Sequence, residues 1–235
     1  MGPGGIFRRP EMKSLRDQLR AFPALARILP FALFVLLTAL QGSFGEASRY
    51  WLYLAKTVLG AGMIWAIRPA IVEMRWQISW PAVAVGVAIF AVWVGLDGFY
   101  PPLKWSGTPK MWNPHSQFGA GSTLAWFFVV VRILGSTFVV PPLEEVFFRS
   151  FIYRSLADRE FEKVPLGQFF WMPFLVTSLA FGLQHREWLP GILCGFAYQG
   201  LVIGKNRLGD AITAHAITNF LLGLWVAGRG AWQFW

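Results

Sequence analysis

The sequence predicts an all-α fold, a polytopic transmembrane bundle of seven to eight hydrophobic helices, and three observations carry that prediction. Hydrophobic residues make up 55% of the chain and charged residues only 14%, too little polar surface to coat a soluble domain. Apolar runs of about 18 to 22 residues recur from end to end, the length that crosses a hydrocarbon core of roughly 30 Å at 1.5 Å per residue. The alternation expected of barrel strands is absent, and unpaired backbone is costly enough in lipid to leave helices as the spanning element.

The elements follow in order. Residues 1–21 carry Arg8, Arg9, Lys13, Arg16 and Arg20 before any long apolar run. No small-residue cleavage site closely follows a short apolar region there, so the segment reads as a retained basic stretch on the membrane surface. Residues 22–121 hold three apolar segments, 22–44, 48–67 and 78–99, and then a loop over 100–121 rich in Pro, Gly and Trp, suited to the interface. Residues 122–228 form a second hydrophobic block with segments at 122–140, 143–157, 168–185, 189–204 and 208–228, and 229–235 is a tail. The run 143–157 is short and carries Glu144, Glu145, Arg149 and Arg154. It is either a partial span or the continuation of 122–140 past the Pro141-Pro142 break. Transporters often show two related halves, and no internal repeat is visible here.

The formal charge of +9 is spread over termini and short loops. It matches anionic lipid head groups as a partner better than nucleic acid. The single cysteine, Cys194, rules out an intramolecular disulfide and leaves the redox compartment unread. Orientation divides two arguments. With seven spans and a cytoplasmic N-terminus, the inside loops (1–24, 68–77, 154–167 and 205–207) hold 12 Lys and Arg against 5 outside, a good positive-inside score. With eight segments that bias nearly vanishes, but Glu144 and His185 fall on one side as a shared site requires, and the eight-segment reading is preferred on that ground.

Ionisable groups inside membrane helices are expensive and therefore functional candidates. They cluster in the C-terminal half, as Glu144, Glu145 and Arg149 in PPLEEVFFRS, His185 in FGLQH, and His215 with Asn219 in HAITN. Glu145 and Arg149 stand at i and i+4 with the acid N-terminal, the favourable orientation for an ion pair. Glu144 lies roughly 100° round the helix from that pair and is left as the free carboxylate, available as a base. The plainer reading is that two Glu after two prolines merely complement a helix N-terminus, which accounts for neither Arg149 nor the later histidines. Phe181 and His185, like His215 and Asn219, are i, i+4 pairs that share a helix face. The third histidine, His115, falls in the polar loop and is expected to be exposed. Arg27, Lys56 and Arg132 stand singly in or near apolar runs and are expected to snorkel or pair locally.

A Glu with two His also describes a catalytic zinc set, here Glu144, His185 and His215. The helical signature HExxH is missing, since His185-Arg186-Glu187 is followed by Trp188, so no cofactor is expected and zinc stays the alternative. Cys194, in GILCG with no nearby base, is not read as a nucleophile. Gly191 and Gly195 form a small-xxx-small pair, most simply a helix contact.

Taken together, EEVFFR at 144–149, FGLQH at 181–185 and HAITN at 215–219 fit EExxxR, FxxxH and HxxxN in order. This resembles the CAAX prenyl protease and bacteriocin-processing family, the type II CAAX endopeptidases with their bacterial relatives, over about residues 122–228. In size and Trp content the chain is also similar to a bacterial subgroup found beside exosortase-type sorting systems, which implies the bacterial inner membrane. The resemblance implies an intramembrane endopeptidase in which Glu144, assisted by His185, activates water, while His215 and Asn219 stabilise the oxyanion. Glu145, Arg149 and Phe181 would support the site. Members of the family have been viewed both as metalloproteases and as metal-independent glutamate proteases, and the second view is preferred here. The implied substrate is a membrane-associated protein or peptide, prenylated or not, cut near its C-terminus, with membrane lipid as the surrounding partner. Two rivals are a non-catalytic immunity or scaffold protein of the same fold, which has little need of buried Glu and His together, and a proton-coupled transporter, which would be expected to show internal symmetry.

Overall fold

The computed structural model describes residue 19, residues 21–103 and residues 111–235. The basic segment expected over 1–21, but for Leu19 and Ala21, and positions 104–110 of the polar loop lie outside the described residues. Every regular element among the described residues is helical.

Helix α1 (Pro23–Ala39) opens on a proline, where the missing N–H costs nothing. It is followed by α2 (Ser48–Ile67) and α3 (Trp80–Gly95), whose first turn is capped by the Ser79 hydroxyl accepting from the Ala82 N–H at 3.3 Å. After the short α4 (Pro114–Phe118) comes α5 (Thr123–Phe138), capped by Ser122 accepting from the Ala125 N–H at 3.1 Å. Helix α6 (Val140–Glu145) starts on the proline pair and passes into a π-helical turn over Val146–Ile152, then α7 (Tyr153–Ala157). The bundle is completed by α8 (Trp171–Leu183), α9 (Trp188–Lys205) and α10 (Gly209–Arg229). Asn206 ends α9 in the left-handed conformation at φ 49°, which Asn tolerates. Its side-chain oxygen also accepts from the Gly167 N–H at 2.6 Å, tying two loops together.

The run 143–157 proves to be a continuation and not a separate span. Thr123–Ala157 is one helical rod of 35 residues, long and apolar enough to cross a membrane, as are Ser48–Ile67 and Gly209–Arg229. Pro141 and Pro142 occupy a first turn, so they redirect the rod without ending it. Shorter apolar helices at Pro23–Ala39, Trp80–Gly95 and Trp171–Leu183 complete the hydrophobic set. Leu29, Val58, Trp80, Val130 and Leu224 are exposed while Arg27, Lys56, Glu145, Arg149 and Arg154 are buried. That distribution is inverted relative to a soluble protein and fits a helical membrane protein.

With Thr123–Ala157 counted once, seven helices of ten residues or more stand among the described residues, Trp188–Lys205 being the seventh, within the seven to eight expected; only the reading of 143–157 as a segment of its own is corrected. The loops between them also sort to two ends. At one end Gln77 N–H donates to Gly209 O at 3.4 Å, Glu73 pairs with Arg154 at 3.1 Å and Gly167 meets Asn206. At the other, Leu103 N–H donates to Arg186 O at 2.9 Å and Trp112 N–H to Trp235 O at 3.5 Å. Of the loops counted as inside in the seven-span reading, 68–77, 154–167 and 205–207 fall at the first end.

Small residues set the helix spacing, as apolar lipid tails give no hydrophobic drive for helix association. A Cβ on Gly195 would lie 2.7 Å from Ser178 O, one on Gly182 2.3 Å from Ile192 Cγ1, and one on Gly191 3.0 Å from Gly182 Cα. The small-xxx-small pair is thus the α8–α9 contact the sequence suggested. Likewise Gly86 brings α3 onto α10, where a Cβ would sit 2.7 Å from Ala214 O.

Candidate active site

Glu144 and Glu145 sit at the end of α6, where the backbone passes from α to π winding. Such turns recur at functional sites because they re-aim side chains. Glu145 is fully buried and joins two partners. Its Oε1 lies 2.9 Å from His215 Nδ1, and its Oε2 lies 3.3 Å from Arg149 Nε. The expected i, i+4 ion pair therefore forms. Winding differs from the α geometry assumed for it, and the Arg149 guanidinium nitrogens find no hydrogen-bond acceptor. They are held instead over the Phe181 ring, with Cζ 4.0 Å from its centroid, a desolvated cation–π contact.

Glu144 turns the other way. Its Oε2 is buried without a hydrogen-bond partner and stands 4.0 Å from His215 Nε2. His215 is therefore bracketed by the two carboxylates, one at each ring nitrogen. The hydrogen bond to Glu145 puts a proton on Nδ1, the atom facing an acceptor-only group. On α10, one turn beyond His215, Asn219 donates from Nδ2 to Ser136 O at 2.8 Å, leaving its second N–H unspent.

His185 follows the end of α8, and its Nδ1 is 2.8 Å from Phe181 O. A carbonyl only accepts, so Nδ1 carries the hydrogen and Nε2 is the basic nitrogen. Phe181 packs against both histidines, with ring centroids 5.1 Å from His185 and 5.9 Å from His215. It links the two helices and the arginine beneath them, a larger part than its spacing to His185 suggested.

Glu144, Phe181, His185, His215 and Asn219 all line one cavity of about 420 Å³. The cavity lets Glu144 and His185 converge without sharing a helix end. His185 stays near the end of the bundle carrying loop 184–187, Glu144 lies well inside the 35-residue rod, and the depth of the cavity brings both to one space. Glu145 and Arg149 stand behind the wall and act through His215 and Phe181.

Several wall residues carry no sequence signal. The Tyr198 hydroxyl donates to Thr218 Oγ1 at 2.7 Å and its ring lies 5.3 Å from His215, yet a lone Tyr in an apolar helix looks like ordinary core. Lys56, Arg132, Gln184 and Glu187 also line the cavity. Lys56 and Arg132 do not snorkel, as both point inward. Arg27, expected to be single, pairs with Glu73 at 2.6 Å and reaches Ser150 at 3.0 Å. His115 is half-buried against Trp126 and Trp232, not exposed, and its Nδ1 accepts from the Gly121 N–H at 3.2 Å. Cys194 is buried in the cavity wall. Among the described residues no three His, Cys, Asp or Glu side chains form a metal-holding group. Two of the nitrogens in the zinc set, Nδ1 of His185 and of His215, are already hydrogen-bonded within the protein.

One comparison with known proteins bears on this cavity. Residues 125–221 match the Rce1-like family of type II CAAX prenyl endopeptidases. The Rce1-like stretch begins in the first turn of α5 and ends in α10, so it takes in every candidate residue of the three motifs. At the level of that family it supports a CAAX-type intramembrane protease, and with the apolar helices it makes this an integral membrane protein. No curated protein and no solved structure matches the chain.

Proposed function

We propose that this chain is a multi-pass endopeptidase of the bacterial inner membrane. It cuts one peptide bond near the C-terminus of a membrane-associated protein or peptide, with Glu144 as the base. The observation carrying this reading is the unpartnered Glu144 oxygen in the same cavity as His185, His215 and Asn219.

In this mechanism Glu144 takes a proton from water held between it and Nε2 of His185, and the water oxygen attacks the scissile carbonyl carbon. The charge that develops on the carbonyl oxygen is met by the second N–H of Asn219 and by Nε2 of His215 when that nitrogen is protonated. Collapse breaks the C–N bond as Glu144 returns the proton to the leaving amine, giving a free acid and a free amine. Glu145 and Arg149 hold His215 and Phe181 in place. No step is routed through a metal, although the zinc set Glu144, His185 and His215 remains the ligand group to test.

Incubating detergent-purified protein with prenylated CAAX-type and unmodified membrane-anchored peptides, followed by mass spectrometry, tests the reading. Cleavage at a single site that persists with chelator present is the expected result. Loss of cleavage on chelation that zinc restores would replace the metal-free mechanism.

A further inference from the structure

One stretch of the cavity wall is not helix–helix packing at all but residues 230–235, a segment that the proposed chemistry does not use. Helix α10 ends at Arg229, and Gly230 turns the chain back in the left-handed conformation at φ 66°, which glycine adopts without strain. A single 3₁₀ turn over Trp232–Phe234 follows. Phe234 and Trp235 then line the cavity while remaining only half-buried, which puts them at its rim. Among the described residues, two hydrogen bonds join the segment to other elements. Trp112 N–H donates to Trp235 O at 3.5 Å, and Gln233 Nε2 donates to Asp97 Oδ2 at 3.2 Å in an exposed position. Ring packing supplies the rest. Trp235 lies 5.6 Å from Trp112 and 5.1 Å from the Arg132 guanidinium, and Trp232 lies 5.6 Å from His115. Long, solvent-exposed hydrogen bonds of this kind mark segments that open far more readily than a packed helix.

From this geometry we infer that residues 230–235 form a hinged strap over the cavity, pivoting at Gly230, which substrate must displace to reach Glu144, so that Phe234 and Trp235 decide which chains enter. The inference rests on the protease reading above and deepens it by giving the same site a gate. The anchors suit the motion. Asp97 follows α3 and Trp112 precedes α4, so both contacts are made to connecting segments, and releasing them moves neither helix. Gly230 stands outside α10, so the strap can swing while His215 and Asn219 keep their places within that helix. The side chain of Gln233, between the two cavity rings and the pivot, is exposed and binds only Asp97. That single bond is the latch. Loop 184–187 lies at the same end of the bundle and also lines the cavity through Gln184 and Glu187, so an incoming chain passes between it and the strap.

The test locks the latch in the full chain carrying Cys194→Ala. Asp97→His together with Gln233→His places two imidazoles where side-chain ends now stand 3.2 Å apart, and added nickel ion bridges them. Each single variant controls for nickel bound elsewhere. A thiol introduced by Ser136→Cys, in the cavity wall, reads access through its labelling rate with a charged methanethiosulfonate. Cleavage of an accepted peptide, with Ser136 intact, reads substrate entry. Nickel is expected to slow both at least about tenfold in the pair and in neither single variant, as the open population falls by that factor, and chelator should restore both. Without nickel, Phe234→Ala with Trp235→Ala should speed labelling at least about tenfold. Either rate unchanged in the nickel-bridged pair, or labelling unchanged in the double alanine variant, overturns the strap. Absence of cleavage in every protein would sink the protease reading instead, and labelling would still decide the strap.

Discussion

His215 lies between two adjacent carboxylates, its Nδ1 2.9 Å from Glu145 and its Nε2 4.0 Å from Glu144. The neighbours differ in what else holds them. Glu145 is tied to Arg149 and shut from solvent, while the buried Glu144 oxygen has no other partner. Consecutive residues of one type therefore carry separate duties, orientation and proton transfer, because helical rotation points them to opposite sides of the cavity wall.

Replacing Glu145 with Gln keeps an acceptor for His215 Nδ1 but removes the charge facing Arg149. As a positioning residue it should lower kcat by roughly 10- to 100-fold, the usual cost of losing such a supporting partner, with KM little changed. Steady-state cleavage kinetics separate the two. A rise in KM with kcat intact would mean that Glu145 contacts substrate instead.

Glu73 sits outside the helices and binds Arg27 at 2.6 Å, Arg154 at 3.1 Å and Ser150 at 2.5 Å. Burial alone would raise its pKa, but Arg27 and the Ser150 hydroxyl outweigh it and hold the carboxyl below its usual value. A depressed folded value contributes stability that is complete above the unfolded carboxylate pKa and is lost as pH falls through the folded one. Glu73→Gln, which takes the shared carboxylate from two buried guanidinium groups and leaves Arg27 only the 3.6 Å pair to Glu162, is expected to cost about 3 kcal/mol at neutral pH. The gap from the unmodified protein should close below about pH 4, as read from unfolding in detergent across an acid series.

Gly182→Val tests whether the α8–α9 approach sets His185. The new Cβ would fall 2.3 Å from Ile192 Cγ1 and 2.4 Å from Ile192 N, contacts only a backbone shift can relieve. The variant is expected to lose about 1–3 kcal/mol of stability together with most activity. Activity retained beside lowered stability would detach the helix contact from the site.

Much of this site was legible because ionisable side chains in apolar runs are rare. Glu144, Glu145, Arg149, His185 and His215 stand out against their flanks, and i, i+4 spacing correctly paired Glu145 with Arg149. What escaped was set by long-range packing. Arg27 finds its acid 46 residues away and Arg154 finds the same one 81 away, separations no local pattern encodes. Lys56 and Arg132 were visible as charges, but the rings receiving Arg132 come from the polar loop and the tail, at Trp112 and Trp235. The reading of 143–157 as a separate segment failed for a related reason. It assumed that Glu144 and His185 must share a helix end, whereas a deep cavity serves both from different heights. The π turn after Glu145 is equally silent in the sequence, since it reflects how Val146–Ile152 packs and not any residue preference within it.

The central claim is that Glu144 supplies the base, and the most direct measurement is the cleavage rate of Glu144→Gln beside the unmodified protein, followed by mass spectrometry on one accepted peptide. Removing the base should lower kcat by at least about 10²- to 10⁴-fold, with unfolding temperature and peptide binding retained. Cleavage at the unmodified rate would contradict the account and move the proton transfer to another residue.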